Sequence, residues 1–198
     1  MKQYILIIML VLPVLSKAQI DRYHNSYVCA NGKAHFLSSA PFGNIAAVTN
    51  SSACVLNTQT KEVAVKIPIS SFHFDQELMK DQFNEYYLES DIYPNAVFDA
   101  AIVENIDFTK DGVYNVILKG ELEIHGVKQQ REVHGKLTVL NGEPVKATAS
   151  FNVALDDHKI KVPMALSLNI ADVIQIDVDF TLEKYRRDEL TNDRSEHF

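Results

Sequence analysis

The sequence predicts an all-β protein, an eight-stranded antiparallel barrel of small bore with a helix covering one end. Three observations predict it. From Val113 to Leu182 apolar and polar residues alternate with the period of two that gives a strand one dry and one wet face. Turn signals (Asp111-Gly112, Gly126, Asn141-Gly142) separate the alternating rows at spacings that join antiparallel neighbours. The rows number about eight, at which a sheet can close on itself and leave no open edge. A two-sheet sandwich satisfies the same alternation; strand number and turn spacing favour the barrel.

Lys2, the apolar run Ile5 to Leu15 and the small residues around Ser16-Lys17-Ala18 predict a signal peptide over residues 1–18, with the mature chain starting at Gln19. The run is shorter than the ~20 residues that span a bilayer, and no cysteine stands at the cleavage point to carry a lipid, so no stable membrane anchor is expected after cleavage. The expected location is the periplasm or outside the cell. Loss of Lys2 and Lys17 takes the net charge from -7 to -9, which excludes nucleic acid and anionic membrane surfaces as natural partners, because both require clustered Lys and Arg. Residues 19–185 suit one domain with a real core. Residues 186–198 are polar and unpatterned and predict a mobile tail.

Strands are expected at Ala34 to Ser39, Asn44 to Asn57 and Glu62 to Ile69. Leu78, Met79, Phe83, Tyr86 and Tyr87 then recur at helical spacing and predict one apolar helix face, set to close a barrel end. Pro94 disfavours helix at Tyr93 and turns the chain into the next strand. There Ala96, Phe98, Ala100, Ile102 and Ile106 form a dry row broken by Glu104. Val116, Leu118 and Leu122 follow on one strand, Val133, Gly135 and Leu137 on the next, then Ala149, Phe151 and Val153, and finally Ile176, Val178 and Phe180. Between Asp157 and Asp172 the alternation competes with Pro163 and a Leu166/Ile170 helical spacing; a loop with a short helix is expected.

Catalytic motifs are absent: no Gly-x-Ser-x-Gly, no His-Glu-x-x-His and no glycine-rich phosphate loop. His125 and His134, with Glu123 and Glu132 across the Gly126 turn, fall on a wet face and predict a solvated cluster rather than a metal site. Glu104 is the one acid on a dry row. It is expected near the barrel mouth, reaching water there or contacting a ligand head group.

Three stretches, "FLSSAPFGNIAAVTN" (Phe36 to Asn50), "FHFDQELMKDQFNEYYLESDIYPNAVFDA" (Phe72 to Ala100) and "LKGELEIHGVKQQ" (Leu118 to Gln130), resemble the YceI-like family of exported lipocalin-like barrels. The helix and Tyr-Pro step leading into "AVF" is the most specific of them. The resemblance implies a barrel whose interior holds a polyisoprenoid or similar long apolar chain, such as a quinone or fatty-acyl chain, with no other cofactor required. On the residues alone, the small Ala96, Ala100, Gly120, Gly135, Ala147 and Ala149 among larger dry-face neighbours permit a tube, while side-chain filling is the usual outcome in native interiors. A carrier of an apolar small molecule, a filled structural or interaction module, and an enzyme on an isoprenoid or lipid therefore stand as three readings, the first favoured by the resemblance. Oligomeric state is not encoded in any of these features.

Cys29 and Cys54 lie outside the family pattern. A turn near Pro41 to Gly43 that sets Phe36 opposite Ala47 also sets Cys29 opposite Cys54, on the face away from Ala34 and Phe36, and predicts a disulfide. If Asn31-Gly32 is instead a tight hairpin turn, the register is lost and buried free thiols are expected.

Overall fold

The structure, a computed structural model, describes residues 25–162 and 170–186. Eight strands run in chain order around a closed wall: β1 (Ser26–Ala40), β2 (Gly43–Asn57), β3 (Glu62–Pro68), β4 (Asn95–Ile102), β5 (Gly112–Ile124), β6 (Val127–Leu140), β7 (Glu143–Ala154) and β8 (Val173–Thr181). Each pairs antiparallel with the next, and β1 pairs with both β2 and β8, which closes the barrel and excludes the sandwich. A two-residue β9 (Glu183–Lys184), not foreseen from the sequence, extends the wall beside Tyr27 and Val28. The predicted leader lies outside the described residues, as do the tail beyond Arg186 and the part of the predicted loop helix from Pro163 to Asn169. In the described part of that loop the helical element is a 3-10 turn, Asp156–His158.

The predicted register of the first hairpin is the one observed. Phe36 faces Ala47, Cys29 faces Cys54, and Asn31-Gly32 continues β1 rather than ending it. The face assignment is corrected, however. Each strand carries an irregularity at the same level, near Gly32 in β1 and Ser52 in β2. Above it Ala34, Phe36, Ala47 and Thr49 point inward, and below it Tyr27, Cys54 and Leu56 do. An extra residue in a strand reverses the parity of everything beyond it. Because both strands gain one, the pairing survives while both cysteines rotate to the inside. Gly32 is required here by contact: a Cβ would stand 2.2 Å from the Phe180 ring.

β6 and β7 pair only from Gly135 with Ala149 to Leu140 with Glu143, so Val127 to His134 have β5 on one side and no strand partner on the other. The turn after β7 bridges the parting: Arg131 Nη2 reaches Asp157 Oδ2 at 2.7 Å, Gln129 Nε2 donates to the Asp157 carbonyl at 2.8 Å, and His158 Nδ1 donates to the Val127 carbonyl at 3.0 Å.

The segment between β3 and β4 crosses one barrel end. Ile69–Ser71 forms a 3-10 turn, His73 makes a backbone bridge to Val48 of β2, and α1 (Glu77–Gln82) widens into a π-helical turn over Phe83–Tyr87. The helix face is narrower than its spacing predicts. Met79, Phe83 and Tyr87 face the barrel, but Leu78 and Tyr86 are 66% and 70% exposed. Widening the turn moves the aromatics out of the strict helical phase on which a five-residue face depends.

Candidate functional site

The inward faces of the strands do not fill the barrel. At the end covered by α1 lies a cavity of about 430 Å³, within the range of roughly 300–1,000 Å³ typical of small-molecule pockets. Below it an inner chamber of about 90 Å³ continues along the axis. The two share wall residues Ile67, Ala96, Leu122 and Phe151, so they are successive levels of one apolar bore.

Strand pleating builds the inner chamber. β4 sends in Phe98 and Ile102, β5 Val116, Leu118 and Leu122, and β6 Val133, Gly135 and Leu137; β7 adds Ala149 and Phe151, and β8 Val178 and Phe180. Val153 and Ile176, also singled out from the sequence, line the upper cavity. Ala100 lines neither: its register partner is Gly120, against whose backbone it packs so closely that a Cβ there would stand 2.5 Å from the Ala100 methyl. Sequence reasoning passed over β3, whose Val63, Val65 and Ile67 face inward with the same period of two, and the buried Leu56 and Cys54 of β2.

Aromatic packing forms the floor of the crossing segment. Phe36 of β1 stacks on Phe83 with centroids 5.3 Å apart, and Phe72 and Phe74 meet Phe36 edge-on at 5.5 and 5.6 Å. Edge-to-face and offset contacts of this kind each add about 0.5–1.5 kcal/mol beyond area burial. These rings line the upper cavity with Met79 and Tyr87, while Ser38, Asn44 and Gln82 supply polar atoms to its wall. Ser38 Oγ already accepts the Ala171 N–H at 2.8 Å. Thr49, fully buried, meets Ser71 Oγ at 2.7 Å, and Ser71 in turn donates to the Pro68 carbonyl at 2.6 Å, which fixes the start of the crossing segment to β2.

The far end of that segment is fixed through the Tyr93-Pro94 step. The Tyr93 ring lies edge-on to His125 at 4.6 Å and directly over Gly126, where a Cβ would come within 2.5 Å of it. Gly126 also has φ +68°, so the turn requires glycine for conformation and for space. His125 Nε2 reaches Glu89 Oε2 at 2.6 Å. This corrects the expected histidine cluster. The tight turn pairs Ile124 with Val127, which places His125 in the turn itself and His134 opposite Ile117, 3.2 Å from Glu132 on its own strand. Among the described residues no group of His, Cys, Asp and Glu is arranged to hold a metal ion.

Glu104 also sits elsewhere than expected. β4 ends at Ile102, beyond which Ile106 still packs on the core, but Glu104 turns outward: its Oε2 accepts the Ile117 N–H at 2.9 Å and lines a hollow on the outer surface. Its carboxylate takes a ladder position that the departing chain has vacated, and it forms no part of the bore.

Burial shifts the acidity of Cys54 and His158 in opposite directions. Burial, with Cys29 beside it, pushes the Cys54 thiol up to about 12. His158 is fully buried, and burial lowers its pKa below the ordinary histidine value.

Residues 19–182 match a family model described as YceI-like domain. The solved structures that resemble the chain include a polyisoprenoid binding domain from Saccharophagus degradans, implicated in plant cell wall breakdown. It has 13% identity and a TM-score of 0.67, over 81% of this chain and 99% of that one. BcnA of Burkholderia cenocepacia is 18% identical with a TM-score of 0.59, over 77% and 96%. A Campylobacter jejuni YCEI protein is 16% identical with a TM-score of 0.51, over 69% and 81%. At these identities the likeness is one of fold. No curated protein sequence matches the chain.

Proposed function

This chain belongs to the YceI-like domain family, and on that premise we propose that its barrel binds and carries or sequesters a long apolar molecule, a polyisoprenoid, quinone or fatty-acyl chain, in the bore. The observation that carries this reading is the bore itself: a cavity of about 430 Å³ continuing into a chamber of about 90 Å³, with apolar side chains from every strand. Each buried CH2 of such a chain contributes about 0.8 kcal/mol, so the wall needs few polar contacts to hold it. Asn44 and Gln82 line the upper end, and in this reading they meet the polar head. The similarity to a polyisoprenoid binding domain supports the same class of ligand.

The protein acts as a binder in this reading, not as an enzyme. Among the described residues the bore is lined by apolar side chains with few polar ones, and Glu104 lies outside it. The apolar leader supports export to the periplasm or beyond the cell. Native mass spectrometry of gently purified protein, followed by extraction and lipid analysis, tests the proposal. A co-purifying apolar molecule, or uptake of an added polyisoprenol by delipidated protein, is expected. A clean apo mass together with failure to take up added prenyl, quinone and acyl chains overturns it in favour of a structural module.

A further inference from the structure

Cys29 and Cys54 are direct partners in the β1–β2 ladder, flanked in the same register by Val28 with Val55 and Tyr27 with Leu56. Opposed Cα atoms in an antiparallel pair lie about 4.5 or about 5.5 Å apart according to the pair type. Either spacing falls within the roughly 4.4–6.8 Å that a disulfide spans. The matched irregularities at Gly32 and Ser52 turn both side chains into the same buried cluster, with Tyr27, Leu56 and Val63. Each sulfur therefore has the other strand's cysteine as its neighbour, at the place where the first and second strands complete the wall. Both are free thiols in the structure.

From this placement we propose that Cys29 and Cys54 are a modification site: they form an intramolecular cross-strand disulfide by exchange with an oxidised dithiol protein. The Cys29 thiolate attacks one sulfur of the oxidant's disulfide, forming a mixed disulfide and releasing one partner thiolate. The Cys54 thiolate then attacks Cys29 Sγ, the protein's S–S bond forms, and the second partner thiolate leaves. The chain loses two protons and two electrons, and the oxidant gains the electrons as its disulfide becomes a dithiol.

The geometry also dates the event. Only the thiolate attacks, and in the closed barrel Cys54 is buried and its thiol is held at about 12. The second step is therefore starved once the wall has closed, so the bond forms while β1 and β2 are paired but not yet enclosed. The inference does not depend on what the bore holds.

The test is intact-mass analysis of protein exported to an oxidising compartment, unfolded in denaturant with an alkylating agent, with and without prior reduction. No alkylation without reductant and two additions after it are expected. Two additions without reductant, or a reductant-sensitive dimer in place of the internal bond, overturn the proposal. The double variant Cys54→Ser, Val55→Cys moves one sulfur to the outer face, and both of its thiols are expected to remain alkylatable; full protection would mean that register does not direct the bond. Reduced folded protein is expected to oxidise more slowly with a dithiol oxidant than the same chain released from denaturant, and equal rates overturn the proposed timing.

Discussion

Ala149 separates the needs of packing from those of a ligand. It sits in β7 opposite Gly135 of β6, and together they keep the inner chamber open. Ala149→Phe is expected to fill that chamber at a cost of about 1–3 kcal/mol in overpacking and to abolish retention of an apolar chain; unchanged uptake by the folded variant, read by native mass spectrometry, would remove the bore as the binding site. Gly135 is the poorer test, since a Cβ there already meets the Thr148 carbonyl at 2.9 Å. His158 links stability to pH. Its folded pKa lies below the ordinary value because burial disfavours the charged ring. The unfolded chain therefore binds the proton first as pH falls. Stability from this group is complete above about pH 6.5 and is lost as pH drops from there toward the folded pKa. Urea midpoints measured across that range are expected to fall, and in His158→Gln to fall less; parallel curves for the two proteins would show that His158 does not supply the slope.

The crossing segment is held at both ends and by its middle, and each attachment has its own expected cost. Phe83 is half-buried between Phe36 and Phe74. Its replacement by Ala is expected to cost about 2 kcal/mol, less than the 3–5 kcal/mol of a fully buried Phe. Leu78→Ala, on the exposed face, is expected to change stability by less than about 0.5 kcal/mol. Equal losses from chemical denaturation would mean that α1 does not pack on the barrel as described. Gly126→Ala combines a left-handed φ with a clash against Tyr93 and is expected to cost more than about 1 kcal/mol; a neutral result would show the Tyr93 contact to be absent in solution. Much of this level was legible in the sequence, because a period of two and glycine-bearing turns report strands directly. The dry rows of β4 to β8 were legible, Ile106 beyond the strand included, and only Glu104 leaves the row where the chain leaves the sheet after Ile102. What alternation could not report were the two irregularities of β1 and β2. They cancel in the pairing and invert only the faces, so a register argument succeeds where a face argument from the same residues fails. The π-helical turn escaped for a related reason: it alters phase without altering composition.

For the molecule as a whole, a bound chain and the fold stabilise one another. A ligand present at 100 times its dissociation constant adds about 2.7 kcal/mol to unfolding free energy, so delipidated protein is expected to melt at a lower temperature and to recover on adding the extracted lipid. An unchanged melting temperature, with binding verified by mass, would mean that the ligand sits on the unfolded chain as readily as in the barrel. The wall itself is not uniform. β6 and β7 pair from Leu140 with Glu143 only as far as Gly135 with Ala149, and beyond Gly135 the strands part and are joined by hydrogen bonds between β6 and one short turn. In mechanical terms the cylinder has a slit. Hoop strain from a guest too wide for the bore would concentrate at that slit, and the circumference can change there without breaking a backbone ladder. Amide protons of Val127 to His134 that point toward β7 lack a strand acceptor, so they should exchange with solvent deuterium well before those pointing toward β5, giving one strand two clocks.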